Sequence, residues 1–185
     1  MNDTITALAT PPGEGGLGII RISGKDALTI AVALFHSAPG KSELTPQKVA
    51  FGEIRNPDTG QCVDEVLLTF FKAPKSYTAE DVIEISAHGG TLITAKILEL
   101  VLAQGARLAQ PGEFTRRAFT NGRLDLTQAE AVADVIESAS DRALNSALSQ
   151  LKGGLSRRLN TLHQNLLNAQ AQLEASIDFS EDGLT

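Results

Sequence analysis

The amino-acid sequence predicts an α+β fold: an N-terminal mixed β-sheet domain with helices, followed by a segment of an α-helical domain. Two changes of pattern predict it. From Thr4 to about Leu108, short apolar runs rich in β-branched residues alternate with turn residues; from Pro111 onward, apolar residues recur at helical spacing. The length of 185 residues suffices for one sizeable core, or for a compact domain with an appended element. Residues 4–9 alternate polar and apolar and read as a strand, and residues 18–22 (Gly-Ile-Ile-Arg-Ile) as a strand buried on at least one side. A short helix is expected over 25–35, after Ser23-Gly24. Two more strands, 48–54 and 63–71, flank Asn56-Pro57-Asp58-Thr59-Gly60, where Pro sets φ and Asn, Asp and Gly accept tight turns. A strand over 81–86 and a helix from about 90 to 103 complete the first half. The second half opens with a short helix over 113–119. Thr127 and Glu130 then form a capping-box pattern, with Ala129, Val132, Ala133 and Ile136 as one apolar stripe. Leu144, Leu148, Leu151, Leu155, Leu159, Leu162, Leu166 and Leu173 predict a long amphipathic helix whose seam needs a partner. Gly153-Gly154 marks a kink or break in it, at roughly 1 kcal/mol per Gly relative to Ala.

Composition narrows the function classes. Hydrophobic residues make up 42% and charged residues 21%, as in ordinary globular proteins. Aromatics are only 4% with no Trp, so stacking platforms for single-stranded nucleic acid are poorly supplied. The formal net charge of -6 means that contact with tRNA or DNA needs a local basic patch or another domain. Cys62 is the single cysteine, which excludes an internal disulfide and fits a reducing compartment. The first residues lack a signal-peptide pattern and no stretch has the roughly 18 apolar residues of a membrane span. A cytoplasmic location is expected.

Several motifs carry chemistry. Gly13, Gly15 and Gly18 spell G-x-G-x-x-G, a spacing that cradles a dinucleotide only between a strand and a helix. Here Ile19-Ile20-Arg21-Ile22 reads as a strand and Pro11-Pro12 gives an extended approach, so the segment is a glycine-lined loop where a ligand can come close to backbone. Arg21 stands among isoleucines, either solvated on the outer strand face or held there for a ligand. Glu84, in Val82-Ile83-Glu84-Ile85, poses the same pair of readings. Its two oxygens match the side-by-side donors of a pterin edge, an exocyclic amine and a ring N–H. His88-Gly89-Gly90-Thr91 lies at a strand-to-helix junction that suits an anion, although His88 reads first as a structural histidine. His36 and His163 show no metal-ligand spacing, and no metal site is expected. Asn121-Gly122 reads as a helix stop with Asp125 as a local cap, and Arg123 is either solvated or paired with the carboxylates of a folate tail. Cys62 has no nearby His and reads as structural. No Ser-His-Asp pattern and no G-x-x-x-x-G-K-[ST] occur, so no catalytic residue is assigned.

Taken together, these blocks resemble one family. They are Asp3-Thr4-Ile5, Ala9-Thr10-Pro11-Pro12-Gly13, Gly15-Gly16, Gly18-Ile19 and Arg21-Ile22-Ser23-Gly24, then Ser76-Tyr77-Thr78-Ala79-Glu80-Asp81, Glu84, His88-Gly89-Gly90 and Arg107. Pro111-Gly112-Glu113-Phe114, Arg117-Ala118-Phe119, Asn121-Gly122-Arg123-Leu124-Asp125-Leu126, Gln128-Ala129-Glu130-Ala131 and Asp134 continue the series. The chain resembles the tRNA uridine-5-carboxymethylaminomethyl modification GTPases, the MnmE or TrmE family. The resemblance implies a tetrahydrofolate-binding, aminomethyltransferase-like domain over residues 1–118. Residues 119–185 would then be the first part of a helical domain, into which the family inserts a Ras-like G domain. It implies a homodimer that binds 5-formyl-tetrahydrofolate, or 5,10-methylene-tetrahydrofolate as one-carbon donor. It also implies GTP hydrolysis with potassium and magnesium in that G domain, and action with the FAD protein MnmG, in a heterotetramer, on the wobble uridine of tRNA. Carried onto this chain, the folate contacts fall on Arg21, Glu84 and Arg123. Many members have Lys at the last position, and Arg keeps the charge while changing reach and donor geometry. The G domain and the Cys-x-Gly-Lys tail of the family are expected outside these residues, leaving the leucine seam partly uncovered and prone to extra association. A stand-alone tetrahydrofolate-dependent one-carbon transferase would need its own acid or base, for which Glu84 is the single candidate. A ligand-free assembly domain would leave Arg21 and Glu84 without a purpose.

Overall fold

The isoleucine-rich run around Arg21 becomes an inner strand of a mixed sheet. The computed structural model describes residues 3–37 and 44–178. In chain order the first unit holds β1 (Ile5–Leu8), β2 (Gly15–Ser23), α1 (Ala27–Leu34), β3 (Phe35–Ser37), β4 (Val49–Arg55) and β5 (Cys62–Phe71), then β6 (Val82–Gly89), α2 (Thr91–Ala103), β7 (Arg107–Leu108) and α3 (Glu113–Thr120). Among the described residues the sheet has seven strands in the order β3-β4-β5-β6-β2-β1-β7. Neighbours are antiparallel except β1 and β7, which are parallel.

Strand periodicity sorts the two faces. Ile20 and Ile22 of β2, Leu68 and Phe70 of β5, and Ile83 and Ile85 of β6 share one buried cluster with Ile30 and Leu34 of α1 and Ile97 and Val101 of α2. Each such fully buried aliphatic side chain contributes roughly 2 kcal/mol relative to an exposed one. The period of two then sends Arg21, Glu84 and Thr69 to the opposite face, where the register aligns Arg21 with Glu84 and Glu84 with Thr69. Val49, Phe51 and Leu67 lie on this second face and remain substantially exposed.

Three details depart from the sequence reading. The first helix stops at Leu34, one residue short, because Phe35 turns extended and pairs with Ile54. The resulting strand β3 and the two-residue β7 are too short to show any period. β7 is anchored where Arg107 N–H donates to the Thr4 carbonyl (3.0 Å) and Ala109 N–H to the Thr6 carbonyl (2.9 Å). The glycine segment enters β2 directly: a Cβ at Gly18 would lie 2.5 Å from Thr94 Cγ2, so bare backbone here serves strand and helix packing.

Contacts divide the chain into residues 1–123 and 124–185. The first unit runs through α3 and its terminal turn, where Asn121 Nδ2 donates to the Thr78 carbonyl (2.7 Å) and Arg123 N–H to the Ala118 carbonyl (2.9 Å). Residue 118, where the sequence places the end of the first domain, lies inside α3. The second unit consists of α4 (Leu126–Glu137), α5 (Asp141–Leu151) and α6 (Gly154–Asp178). The cap of α4 is Asp125 rather than Thr127. Gln128 N–H donates to Asp125 Oδ1, and Asp125 N–H donates back to Gln128 Oε1, both at 2.9 Å. The carboxylate outcompetes the hydroxyl as acceptor, and Thr127 Oγ1 donates to Asp125 instead. The buried stripe rotates accordingly: Ala131 is buried, whereas Ala133 and Ile136 are exposed. α5 folds back on α4, with Gln128 Nε2 on the Leu151 carbonyl (2.9 Å) and Gln150 Nε2 on the Thr127 carbonyl (3.1 Å). The leucine row breaks where the glycines stand, Gly153 having φ +77°. Beyond it Leu159, Leu162, Leu166 and Leu173 of α6 are exposed.

Candidate functional site

β2 and β6 set Arg21 and Glu84 side by side on the outer sheet face, each about one-quarter exposed. Arg21 Nε and Nη2 both reach Glu84 Oε1, at 2.8 and 2.7 Å, while Oε2 accepts no hydrogen bond among the described residues. The segment between β5 and β6 brings Tyr77 over this pair, and α3 brings Phe114. The Arg21 guanidinium carbon lies 5.4 Å from the Tyr77 ring centroid and 5.5 Å from that of Phe114, within cation–π range. Arg123 approaches Tyr77 as well, at 5.1 Å, and among the described residues pairs with no carboxylate. Thus Arg21 and Arg123, far apart in sequence, meet at Tyr77, and Glu84 joins them through its pair with Arg21.

The sequence reading did not single out Tyr77 and Phe114 as site residues; the only signal was their place in the Ser76–Asp81 and Pro-Gly-Glu-Phe blocks. Their positions are firmly held. Tyr77 Oη lies 2.8 Å from Thr115 Oγ1, and fully buried Thr78 bonds Ser23 Oγ at 2.7 Å. Ser23 Oγ also donates to Glu80 Oε2 at 2.8 Å. Ala79 completes the turn at φ +59°, a left-handed conformation that costs a non-glycine residue about 1 kcal/mol and is sustained by these bonds.

An ionic cluster fixes α3 next to the sheet. Glu113 is fully buried and receives Arg107 Nη2 at 2.6 Å and Nη1 at 2.9 Å, with the Gln110 amide at 2.8 Å. Arg117, equally buried, reaches Asp3 Oδ1 (2.9 Å), Glu80 Oε2 (3.1 Å) and Glu113 Oε1 (3.4 Å), although its Nε has no partner among the described residues. The Arg107 guanidinium, opposed by burial and helped by the Gln110 amide, pulls the Glu113 carboxyl down to about 2. Arg107 likewise holds Asp3 below its usual range.

The remaining polar candidates stand apart from this centre. His88 Nδ1 lies 2.7 Å from Asp64 Oδ1 and its backbone N–H donates to Oδ2 at 2.8 Å, a satisfied histidine with an exposed ring. Cys62 is exposed; partial desolvation and then the Glu53 carboxylate push its thiol up, away from nucleophile character. The glycine segment borders a cavity of about 270 Å³ lined by Leu8, Pro11, Pro12, Leu17 and Thr94. Among the described residues no group of three or more His, Cys, Asp or Glu is placed to hold a metal, and no helix is long and apolar enough to cross a membrane.

Comparison with known proteins identifies the family. Residues 4–123 match the family described as GTP-binding protein TrmE N-terminus, and residues 126–185 match the MnmE helical domain. The chain is 49% identical over 185 residues to the tRNA modification GTPase MnmE of Koribacter versatilis, covering 100% of this chain and 41% of that protein. It is 53% identical over 184 residues to the MnmE of Moorella thermoacetica, covering 98% and 40%, and 50% identical over 179 residues to that of Streptococcus pyogenes serotype M1, covering 97% and 39%. The chain therefore spans about 40% of the length of these relatives. The seven-stranded unit and the helical unit after it thus belong to the MnmE family of tRNA modification GTPases.

Proposed function

We propose that this chain is the folate-binding and dimer-forming part of a tRNA-modifying GTPase. Its first unit takes 5-formyl-tetrahydrofolate or 5,10-methylene-tetrahydrofolate on the outer sheet face. Glu84 anchors the pterin edge, Arg123 receives the carboxylates of the tail, and Arg21 lies beside the anchor. The observation that carries this reading is the convergence of Arg21 and Arg123 on Tyr77, with Arg21 paired to Glu84, Glu84 Oε2 unused and Arg123 free of any carboxylate among the described residues. Those groups fit a ligand that is a flat donor-rich ring at one end and anionic at the other. The bound folate would supply the one-carbon unit; the residues here bind and orient it.

In the longer protein, GTP hydrolysis with potassium and magnesium belongs to a G domain, and the dimer works with MnmG on the wobble uridine of tRNA, in the cytoplasm. A net charge of -6 supports leaving the principal tRNA contacts to other parts of that assembly. Calorimetric titration of 5-formyl-tetrahydrofolate, with Glu84→Ala in parallel, tests the folate assignment. Saturation near one ligand per chain and its loss in the variant are expected. Undiminished binding by a folded Glu84→Ala chain would refute the assigned anchor.

A further inference from the structure

Lys25, Lys48, Lys72 and Lys75 are spread along the sequence, yet the register of the sheet brings them to one end of it. β4 begins at Val49, opposite Thr69; β5 ends at Phe71, opposite Val82; and Ser23, the last residue of β2, also pairs with Val82. Lys48 therefore precedes β4, Lys72 and Lys75 follow β5, and Lys25 follows β2, all at the same end of the neighbouring strands β4-β5-β6-β2. Hydrogen bonds staple these segments together. Gln47 N–H donates to the Phe70 carbonyl at 2.6 Å, Ala73 N–H to Asp81 Oδ1 at 2.8 Å, and Gly24 N–H to the Asp81 carbonyl at 3.0 Å. Lys75 N–H closes a turn on the Lys72 carbonyl at 2.9 Å.

All four lysines are exposed, and among the described residues none lies in an ion pair. The carboxylates close by in the chain have other partners: Glu80 receives Arg117 and Ser23, Asp81 the Ala73 amide, and Asp26 the Thr4 hydroxyl. In a chain of net charge -6 this row is a local concentration of unopposed positive charge. Adjacent strands lie about 4.8 Å apart, so the row extends about 14 Å, a length of nucleic-acid helix axis that carries about four phosphates of one strand. We propose that the lysine row is a contact for an RNA backbone, holding phosphates without reading sequence. The choice of RNA over another polyanion rests on the reading of the chain as part of a tRNA-modifying assembly; the row itself does not. It supplements the contacts made by other parts of that assembly and gives an acidic chain one face oriented toward RNA.

Fluorescence anisotropy of labelled, unfractionated tRNA titrated with the chain, between about 20 and 150 mM salt, tests this. Four phosphate contacts contribute about -3 to the slope of log K against log salt. Combining Lys25→Gln, Lys48→Gln, Lys72→Gln and Lys75→Gln is expected to remove that contribution and to weaken binding at low salt about tenfold or more. Arginine at the same four positions keeps the charge and is expected to retain both. A control with the same change of charge, Lys96→Gln, Arg142→Gln, Lys152→Gln and Arg158→Gln, all at exposed positions, is expected to keep the slope. Equal losses in the two glutamine variants would make binding a matter of net charge and overturn the row. So would an unchanged slope in the first variant, or no binding by the unsubstituted chain at the lowest salt. Duplex RNA of arbitrary sequence separates the row from the tRNA reading: lysine-dependent binding as tight as that of tRNA sustains the row and leaves the tRNA reading without support from it. Vesicles containing phosphatidylserine that bind through the four lysines, while tRNA binding is indifferent to them, would assign the row to a membrane surface and sink the RNA contact.

Discussion

Glu113 lies fully buried between Arg107 and Arg117, and this placement links the acid stability of the fold to one side chain. Its folded carboxyl titrates near 2, below the usual carboxylate value, so its contribution is present above about pH 4.5 and lost as the pH falls toward 2. With Arg107 itself nearly half exposed, solvent screening reduces that contribution to about 2 kcal/mol. Urea unfolding of Glu113→Gln is expected to show a flatter dependence between about pH 5 and 2 than the unsubstituted chain; an unchanged acid limb would assign the loss elsewhere. Arg117→Met leaves Glu80 and Glu113 without their shared cation and is expected to cost about 3 kcal/mol or more. On the ligand side, Arg123→Ala is expected to weaken 5-formyl-tetrahydrofolate and leave tail-less pterin unaffected, with Arg123→Lys restoring most of the loss; equal loss for both ligands would move Arg123 off the tail. Arg21 and Glu84 were legible in the sequence because a charge inside a β-branched strand demands an explanation. Tyr77 and Phe114 were not, since a turn residue and a short-helix residue carry no period that points to a ligand.

Elements with several turns or several alternations were legible, and the shortest were not. β2, β5, β6 and α2 follow from β-branched alternation or helical spacing, and the Asn56 turn forms as its chemistry dictates, Oδ1 accepting from the Asp58 and Thr59 amides at 2.9 and 3.3 Å. β3 and β7, of three and two residues, owe their existence to partners in β4 and β1. Two overlapping patterns at the start of α4, Asp125 with Gln128 and Thr127 with Glu130, satisfy the same capping-box spacing, and the structure uses the first. Acceptor strength chose the carboxylate. Asp125→Ala is therefore expected to destabilise the helical unit by about 1 kcal/mol, while Glu130→Ala is nearly neutral; both are measurable by helical circular dichroism during denaturation. The reverse order would restore the Thr127 cap.

Among the described residues, the helical unit carries exposed apolar surface. Leu162, Leu166 and Leu173 of α6 are about three-fifths exposed or more, and a seam of this length is stabilised by packing against another surface. Association beyond the proposed dimer, rising with concentration, is expected in sedimentation, and Leu162→Glu with Leu166→Glu should remove it without disturbing that proposed dimer. A dimer that stays the same at every concentration would count against the seam. The helical character of this region was legible from leucine spacing, whereas what covers it is decided by sequence that the spacing does not contain. On the outer face of the first unit, a folate is proposed to meet Tyr77, Glu84 and Arg123. Because Tyr77 is the only tyrosine, isotope labelling of tyrosine yields one ring signal that reports this site alone. Titration with 5-formyl-tetrahydrofolate is expected to shift that signal saturably, with the same midpoint as the calorimetric isotherm and no shift in Glu84→Ala. Heat of binding with an unmoved Tyr77 signal would place the folate elsewhere and contradict the account.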